Sequence, residues 1–234
     1  MKFFRRMYRK GCACYYFYEM LRDTRSLKTE ISLFRDPGRH AQAKQQELLP
    51  YYERYISEVS RDYMAISLEL SSLLAVFCDV NRPVTIADLG TGFSSFVLRR
   101  YAREAGPNAC VWSVDDSTEW LGKTLEFLNR HGLDHENVLT WDDFVAQGHG
   151  GFDLILHDLG SMETRAKTLP YVLSLANPGG WVILDDVHIT EYAPIAKKTV
   201  RESGLDLYSL RGFTRDKFGR FASLAVRQDN ATSG

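Results

Sequence analysis

The spacing of apolar residues changes near residue 81 and divides the chain into two parts. From Tyr52 to Phe77 the apolar positions recur at alternating steps of four and three residues, which places them on one face of a helix. The pattern predicts a helix, broken or continuous near Ser60, whose apolar face packs on the sheet that follows. The alternative is that this face forms a seam between two copies of the chain.

Short apolar runs alternate with helical patterns from Val84 to Ser203. The predicted strands are Val84–Leu89, Cys110–Val114, Val138–Trp141, Phe152–His157 and Gly180–Leu184. The predicted helices are Ser95–Glu104, Glu119–Arg130, Arg165–Ala176 and Ile189–Ser203. This alternation is typical of an α/β domain with a mostly parallel sheet and helices on both faces.

The last two apolar runs, Leu207–Leu210 and Phe221–Val226, flank a polar loop and predict an antiparallel hairpin. We therefore expect a seven-stranded sheet that ends in a hairpin and follows a helical N-terminal extension. Three parts are expected: residues 1–80 as a helical cap or oligomerisation segment, 81–228 as the α/β domain, and 229–234 as a disordered tail.

Composition and charge exclude several classes of protein. Hydrophobic residues make up 44% of the 234 residues, which is ordinary for a globular chain and excludes wholesale disorder. The net charge of −1 gives no general attraction to nucleic acid. Residues 1–35 carry nine basic and three acidic residues among several aromatic ones, and this segment alone favours a nucleic-acid partner.

Cysteine spacing and hydropathy bear on the cellular compartment. The four cysteines, Cys12, Cys14, Cys78 and Cys110, show neither a CxxC pair nor a zinc-site spacing. No run approaches 18 apolar residues, and the basic start is followed by a short tyrosine-rich stretch without a cleavage site. We expect no transmembrane segment, no secretory signal and a cytoplasmic location.

A glycine-rich turn, Asp88-Leu89-Gly90-Thr91-Gly92, follows the first predicted strand. Glycines at such a turn let the backbone approach a ligand, and the next helix directs its positive N-terminus to the same place. Ser95 stands where a dinucleotide-binding G-x-G-x-x-G pattern has its third glycine, which disfavours NAD and FAD.

Acidic residues follow the next two predicted strands. Asp115, 23 residues after Gly92, occupies the strand end where a carboxylate accepts hydrogen bonds from a ribose diol. Asp142 and Asp143 follow the third strand, where an adenine amino group could donate, although acids at such turns also cap helices.

Residues 84 to about 228 resemble the class I S-adenosylmethionine-dependent methyltransferases. Asp88–Gly92 resembles the first motif of that family, Asp115 its ribose-binding acid, and Asn177-Pro178-Gly179-Gly180 the turn before its fifth strand. The glycine turn followed by Asp115-Asp116 and Glu119-Trp120-Leu121 is most similar to small-molecule methyltransferases. The basic, aromatic N-terminal third falls outside the resemblance.

The resemblance implies a Rossmann-like fold and S-adenosylmethionine as the cofactor. The cofactor-binding residues that it implies are Asp88, Gly90, Thr91, Gly92, Ser94, Asp115, Asp116, Asp142, Asp143 and Asp158. It further implies a small-molecule acceptor and O-methylation in secondary metabolism. The homodimer that we expect rests instead on the apolar stripe from Tyr52 to Phe77 and on the aromatic N-terminus.

The residues after the fourth and fifth strands bear on the acceptor and on a metal. His157-Asp158-Leu159-Gly160 replaces the Asn/Asp-Pro-Pro-Tyr loop of nucleobase amino methyltransferases, which disfavours that class. Asp158, Asp185 and Asp186 resemble the ligands of cation-dependent catechol-type O-methyltransferases, although Asp186 stands where that family has Asn. The resemblance therefore implies Mg²⁺ held by these three residues.

Neighbouring carboxylates repel each other, and a hard divalent cation would relieve that repulsion. The alternative is that one acid is protonated, one caps a helix and one binds the methionine amino group. Asp185 would act through the metal, and His188 is the candidate general base for a reaction without one.

Three other functions stay open. One is a different S-adenosylmethionine-consuming reaction, such as aminopropyl transfer or cyclisation. The second is a non-catalytic partner subunit with a methyltransferase fold. The third is a nucleic-acid methyltransferase, which only the basic segment 1–35 supports.

Overall fold

The computed structural model describes residues 37–226, with side chains described from residue 41. Cys12, Cys14, the basic N-terminal segment and the expected tail at 229–234 lie outside the described residues. Among the described residues, no helix combines the length and the apolar character that crossing a bilayer requires.

Helices and strands alternate along the described chain after two initial helices. The elements are α1 (Pro37–Glu58), α2 (Leu68–Asn81), β1 (Thr85–Leu89), α3 (Phe93–Ala105), β2 (Cys110–Asp115), α4 (Thr118–Arg130), β3 (Val138–Thr140), α5 (Trp141–Gln147), β4 (Phe152–His157), α6 (Met162–Ser174), β5 (Ala176–Leu184), α7 (Ala193–Glu202), β6 (Asp206–Ser209), α8 (Arg211–Thr214) and β7 (Ser223–Val226).

The strands form one seven-stranded sheet in the order β3-β2-β1-β4-β5-β7-β6. Strands β1 to β5 are parallel, and β7 pairs antiparallel with both β5 and β6. The predicted α/β architecture and its terminal hairpin are confirmed. Because β1 lies between β2 and β4, the chain reverses its direction of winding there, and a crevice opens at the carboxyl ends of these strands.

Successive residues of the central strands point to opposite faces and supply two hydrophobic cores. On one face of the sheet, Leu154, Leu156 and Ile183 belong to a core that includes residues of all four helices from α1 through α4. On the other face, Ile155 and Val182 belong to a core with residues of α5, α6 and α7. The helices before residue 81 therefore share a core with the sheet.

The predicted apolar stripe from Tyr52 to Phe77 is divided between α1 and α2. Helix α2 starts at a new N-cap, where the Ser67 hydroxyl accepts a hydrogen bond from the Leu70 N–H at 3.1 Å. The connection between the helices, residues 59–67, contains Ser60, where a break in the helix was predicted. Tyr63, a member of the stripe, lies in this connection and is 51% exposed.

Three local predictions were wrong. The chain turns from strand to helix at Thr140, whose hydroxyl caps α5, so Trp141 begins a helix that the sequence did not predict. The polar loop between the hairpin strands contains the short helix α8. Strand β5 starts at Ala176, and its pairing with β4 shifts register around Asn177–Gly180, so that segment is an irregularity within the strand.

Arg99 of α3 is a buried cation that ties one face of the sheet to a loop. Its guanidinium donates hydrogen bonds to the carbonyl oxygens of Val111, Asp134 and Glu136 at 3.1, 3.0 and 2.8 Å. It also donates to the Ser113 hydroxyl at 3.2 Å. Helix α3, strand β2 and the loop before β3 are therefore held by one side chain.

We expect Arg99→Met to destabilise the protein by about 2–4 kcal/mol, because it leaves several carbonyl groups without a donor. Arg103→Met, at an exposed position of the same helix, is the control and should cost less than about 0.5 kcal/mol. Urea unfolding followed by circular dichroism measures both. Equal midpoints for the two variants would contradict the role of Arg99.

Candidate active site

Gly90 and Gly92 lie in the turn that follows β1, before the first residue of α3. Gly90 has φ +106°, a conformation that side-chain-bearing residues rarely adopt, and a Cβ there would overlap the main-chain carbonyl of Asp158. A Cβ at Gly92 would lie 3.0 Å from the hydroxyl of Tyr55 on α1. The turn is therefore enclosed by the end of β4 on one side and by α1 on the other.

The buried carboxylate of Asp88 and the hydroxyl of Ser95 hold this turn through hydrogen bonds. Asp88 is fully buried and accepts a hydrogen bond from the Ser95 hydroxyl, whose oxygen accepts from the Gly92 N–H at 3.2 Å. Burial raises the pKa of Asp88 to about 6, although the Ser95 hydroxyl opposes the shift. The structure places Asp88 behind the cavity wall. Sequence reasoning did not foresee that Ser95, at the missing glycine, supports the turn.

Asp115 at the end of β2 joins the turn to the neighbouring strand. Its Oδ2 accepts hydrogen bonds from the N–H and hydroxyl of Thr91 at 2.7 and 3.0 Å, and its Oδ1 accepts from the Ser117 N–H at 2.9 Å. Burial raises the pKa of Asp115, whereas these donors lower it.

A cavity of about 250 Å³ opens above the glycine turn. Its walls come from the turn itself, the ends of β2, β4 and β5, the end of α1 and the 59–67 connection. The predicted residues Gly90, Thr91, Gly92, Ser94, Asp115, Asp116, Asp158, Asp185 and Asp186 all line it. Tyr55, Met64, Trp120, Arg165 and Arg220 line it as well and were not predicted as site residues.

Asp142 and Asp143 do not line this cavity. Both are exposed in the first turn of α5, and the Asp143 carboxylate accepts a hydrogen bond from the Thr140 hydroxyl at 2.6 Å. The Thr140 hydroxyl in turn accepts from the Asp143 N–H at 3.2 Å. This reciprocal arrangement is the helix-capping alternative for these acids.

Three carboxylates converge at the ends of β4 and β5. Asp158, Asp185 and Asp186, called here the acidic cluster, each offer one oxygen, and these oxygens lie within 4.8 Å of one another. Burial raises the pKa of Asp158, which Arg165 opposes, and burial and the Asp186 charge raise the pKa of Asp185. The predicted convergence of the three acids is thus present in the structure.

Arg165 in the first turn of α6 contacts two members of the acidic cluster. Its Nη2 lies 2.5 Å from Asp158 Oδ1, and its Nη1 donates to Asp186 Oδ2 at 2.9 Å. Three carboxylates alone would suit Mg²⁺. With the guanidinium on two of them, the residues present do not fit the predicted divalent cation.

Neither histidine that follows these strands lines the cavity. His188 lies beside the cluster, with its Nδ1 3.5 Å from Asp186 Oδ1, and burial lowers its pKa. His157 is buried at the end of β4, where its Nε2 is 3.0 Å from the Thr168 hydroxyl, and burial lowers its pKa to about 3. His157 therefore stays neutral inside the fold.

Arg220, from the connection between α8 and β7, holds the 59–67 connection in place, and this connection forms one wall of the cavity. Its guanidinium donates to the carbonyl oxygens of Asp62, Tyr63 and Ala65 at 3.0, 2.9 and 2.9 Å. Asp216 accepts from its Nε at 2.7 Å and orients it. The partners lie more than 150 residues apart, so no local sequence pattern could have revealed this contact.

Solved structures to which the chain is similar include O-methyltransferases. TomG of Streptomyces achromogenes, involved in tomaymycin synthesis and crystallised with S-adenosylmethionine, is 17% identical and superposes with a TM-score of 0.58 over 81% of this chain and 90% of its own. The Bacillus cereus O-methyltransferase, in complex with S-adenosylhomocysteine, is 16% identical, with a TM-score of 0.60 over 79% and 90%. The chain has the methyltransferase fold.

A third solved structure matches this chain over nearly its own full length. PaMTH1 of Podospora anserina, bound to S-adenosylhomocysteine, is 14% identical, with a TM-score of 0.61 over 86% of this chain and 99% of its own. No family model matches the sequence, and no curated protein matches it. The resemblance predicted from the sequence is thus confirmed in the fold.

The Asp88 carboxylate makes stability depend on pH. Its pKa is higher in the folded protein than the ordinary 3.8, so its contribution to stability is full below that value and is lost as pH rises through about 6. Asn at this position does not titrate. Relative to wild type, Asp88→Asn should therefore gain about 1–1.5 kcal/mol in free energy of unfolding between about pH 5 and pH 8.

Urea unfolding at the two pH values measures this gain. Asp142→Asn, which replaces an exposed carboxylate of α5, is the control, and we expect its effect to be the same at both. A difference between Asp88→Asn and wild type that does not change with pH would show that the buried carboxylate is not the cause.

Proposed function

We propose that this protein transfers the methyl group of S-adenosylmethionine to a hydroxyl oxygen of a small molecule. One observation carries the proposal: the glycine turn, Asp115 and the acidic cluster line a single cavity in a methyltransferase fold. The similar structures described above include complexes with this cofactor or with its demethylated product. That product is S-adenosylhomocysteine, whereas aminopropyl transfer or cyclisation would leave methylthioadenosine, so product analysis separates the reactions.

The cofactor would lie across the glycine turn. In this arrangement Asp115 accepts hydrogen bonds from the ribose diol, as carboxylates at this strand position do. Trp120 of α4 and Asp116 line the adjoining wall, where the adenine would lie. The N-terminus of α3, with Ser94, would then receive the methionine carboxylate, and Asp158, which lines the same cavity, would receive the amino group.

The acceptor would enter between the acidic cluster and the 59–67 connection. Tyr63, Met64 and Ile66 of this connection line the cavity and supply apolar surface for the acceptor. Methyl transfer is an in-line displacement, so the acceptor oxygen must be held opposite the sulfonium at near-attack distance. Arg220 fixes the backbone of this wall and so contributes to that positioning.

Asp185 is the group that we propose as the proton acceptor. It lines the cavity, accepts one hydrogen bond from the Asp186 N–H at 2.7 Å, and is not bonded to Arg165. As the acceptor oxygen forms its bond to the methyl carbon, the sulfonium keeps the electron pair of the broken bond and Asp185 takes the hydroxyl proton. His188 lies beside Asp186 and does not line the cavity, so in this proposal it does not contact the acceptor.

The expected cap, oligomeric state, location and metabolic role stay predictions. Residues 1–80 as a cap over the acceptor, a homodimer, a cytoplasmic location and a role in secondary metabolism all belong to this proposal. The lining residues Tyr55 and Met64 support the cap.

Asp115→Ala should weaken binding of S-adenosylhomocysteine by about 1–3 kcal/mol, because hydrogen bonds to a charged acceptor are lost. Isothermal titration calorimetry measures the affinity, and Asp142→Ala, outside the cavity, is the control with unchanged affinity. If wild type fails to bind S-adenosylhomocysteine, the proposed function is wrong. If Asp115→Ala binds it as tightly as wild type, only the ribose assignment is wrong.

Asp185→Asn should lower kcat by about a hundredfold or more, the usual contribution of a general base, while affinity for S-adenosylhomocysteine stays unchanged. His188→Gln is the matched variant and should keep most of the activity. Transfer of a radiolabelled methyl group is measured on whichever member of a panel of phenols and catechols wild type methylates fastest. An inactive His188→Gln beside an active Asp185→Asn would reverse the assignment.

A further inference from the structure

Arg165 brings a fixed positive charge into the acidic cluster. Its two terminal nitrogens contact different carboxylates, Asp158 on one strand end and Asp186 on the next, at 2.5 and 2.9 Å. The side chain is only 8% exposed, so water screens these contacts weakly. The guanidinium bridges the ends of β4 and β5 as a bound cation would.

The backbone around the bridge is shaped to receive it. Asp186 has φ +56°, which is uncommon for a residue other than glycine. Its N–H donates to the Asp185 carboxylate at 2.7 Å, which holds this conformation. The Asp186 side chain contacts Arg165, so the ends of β4 and β5 both meet one guanidinium that α6 carries.

A divalent cation and this guanidinium would compete for the same oxygen atoms. Mg²⁺ or Mn²⁺ needs direct contact with carboxylate oxygens, and Asp158 Oδ1 and Asp186 Oδ2 already face Arg165. The positive charge of Arg165 would also repel a second cation, and an arginine does not lose its proton to make room.

The other arginine of the cavity is committed elsewhere. Arg220 donates to Asp216 and to the carbonyl oxygens of the 59–67 connection. Removal of Arg165 would therefore leave the acidic cluster without a bonded arginine from the described part of the chain, residues 41–226.

We propose that Arg165 is the resident cation of this site and takes the place of a divalent metal. The wild-type protein accordingly binds no divalent cation at the acidic cluster. Loss of the guanidinium converts Asp158, Asp185 and Asp186 into a divalent-cation site. This inference concerns the cluster itself and does not rest on the proposed methyl transfer.

The test is a Mn²⁺ titration of the full chain without cofactor, with free Mn²⁺ followed by electron paramagnetic resonance. Wild type should bind no stoichiometric ion, whereas Arg165→Ala should bind one ion about tenfold or more tightly than wild type does. Adding Asp185→Ala to Arg165→Ala, which removes one carboxylate of the acidic cluster and leaves no oxygen ligand in its place, should abolish that binding. Arg165→Lys is the matched control: it keeps the positive charge and should bind no ion.

Thermal melting gives a second readout that needs no activity. Arg165→Ala should melt at a lower temperature than wild type, because the buried carboxylates lose their counter-charge. Mn²⁺ and Mg²⁺ should then raise its melting temperature and leave that of wild type unchanged, since a ligand stabilises the state that binds it.

Two results would overturn the proposal. The first is stoichiometric Mn²⁺ binding by wild type that Asp185→Ala abolishes. The second is a folded Arg165→Ala protein, judged by its circular dichroism, that binds no Mn²⁺. Failure of wild type to bind S-adenosylhomocysteine would remove the proposed function and leave this result standing.

Discussion

The close approach of the ends of β1 and β4 is the constraint on which the site depends. At Gly90 the backbone lies against the Asp158 carbonyl with no room for a side chain. This contact brings the glycine turn, held by Asp88 and Asp115, to the same edge of the sheet as the acidic cluster. Without it, the two halves of the cavity would belong to separate surfaces.

Each carboxylate near the cavity has a different set of partners, and this difference separates their roles. Asp88 is bonded to Ser95, and Asp115 to Thr91 and Ser117. Asp158 and Asp186 share Arg165. These acids shape the site and balance its charge. Asp185 faces the cavity beside them without a bond to Arg165, which is why it is the member that we propose as the proton acceptor.

The sequence predicted what depends on periodicity and on position along a strand. The alternating runs predicted the sheet and its terminal hairpin, and the acids at strand ends predicted the convergence of Asp158, Asp185 and Asp186. It did not predict partners that only folding brings together. Arg165 was read as the start of a helix, and Arg220 meets carbonyl groups far upstream. Helix α5 was missed because one threonine cap ended a strand pattern that otherwise continued through Trp141.

The hydrogen bonds that Arg220 makes to the 59–67 connection all go to backbone carbonyl oxygens. Such bonds are indifferent to which side chains the connection carries. Tyr63 and Met64, both more than half exposed and both facing the cavity, are therefore free to vary while their backbone keeps its place. If the proposed acceptor binds against this wall, selectivity for it is separable from the folding of the wall, and substitution at two tolerant positions would change the acceptor without loss of the fold.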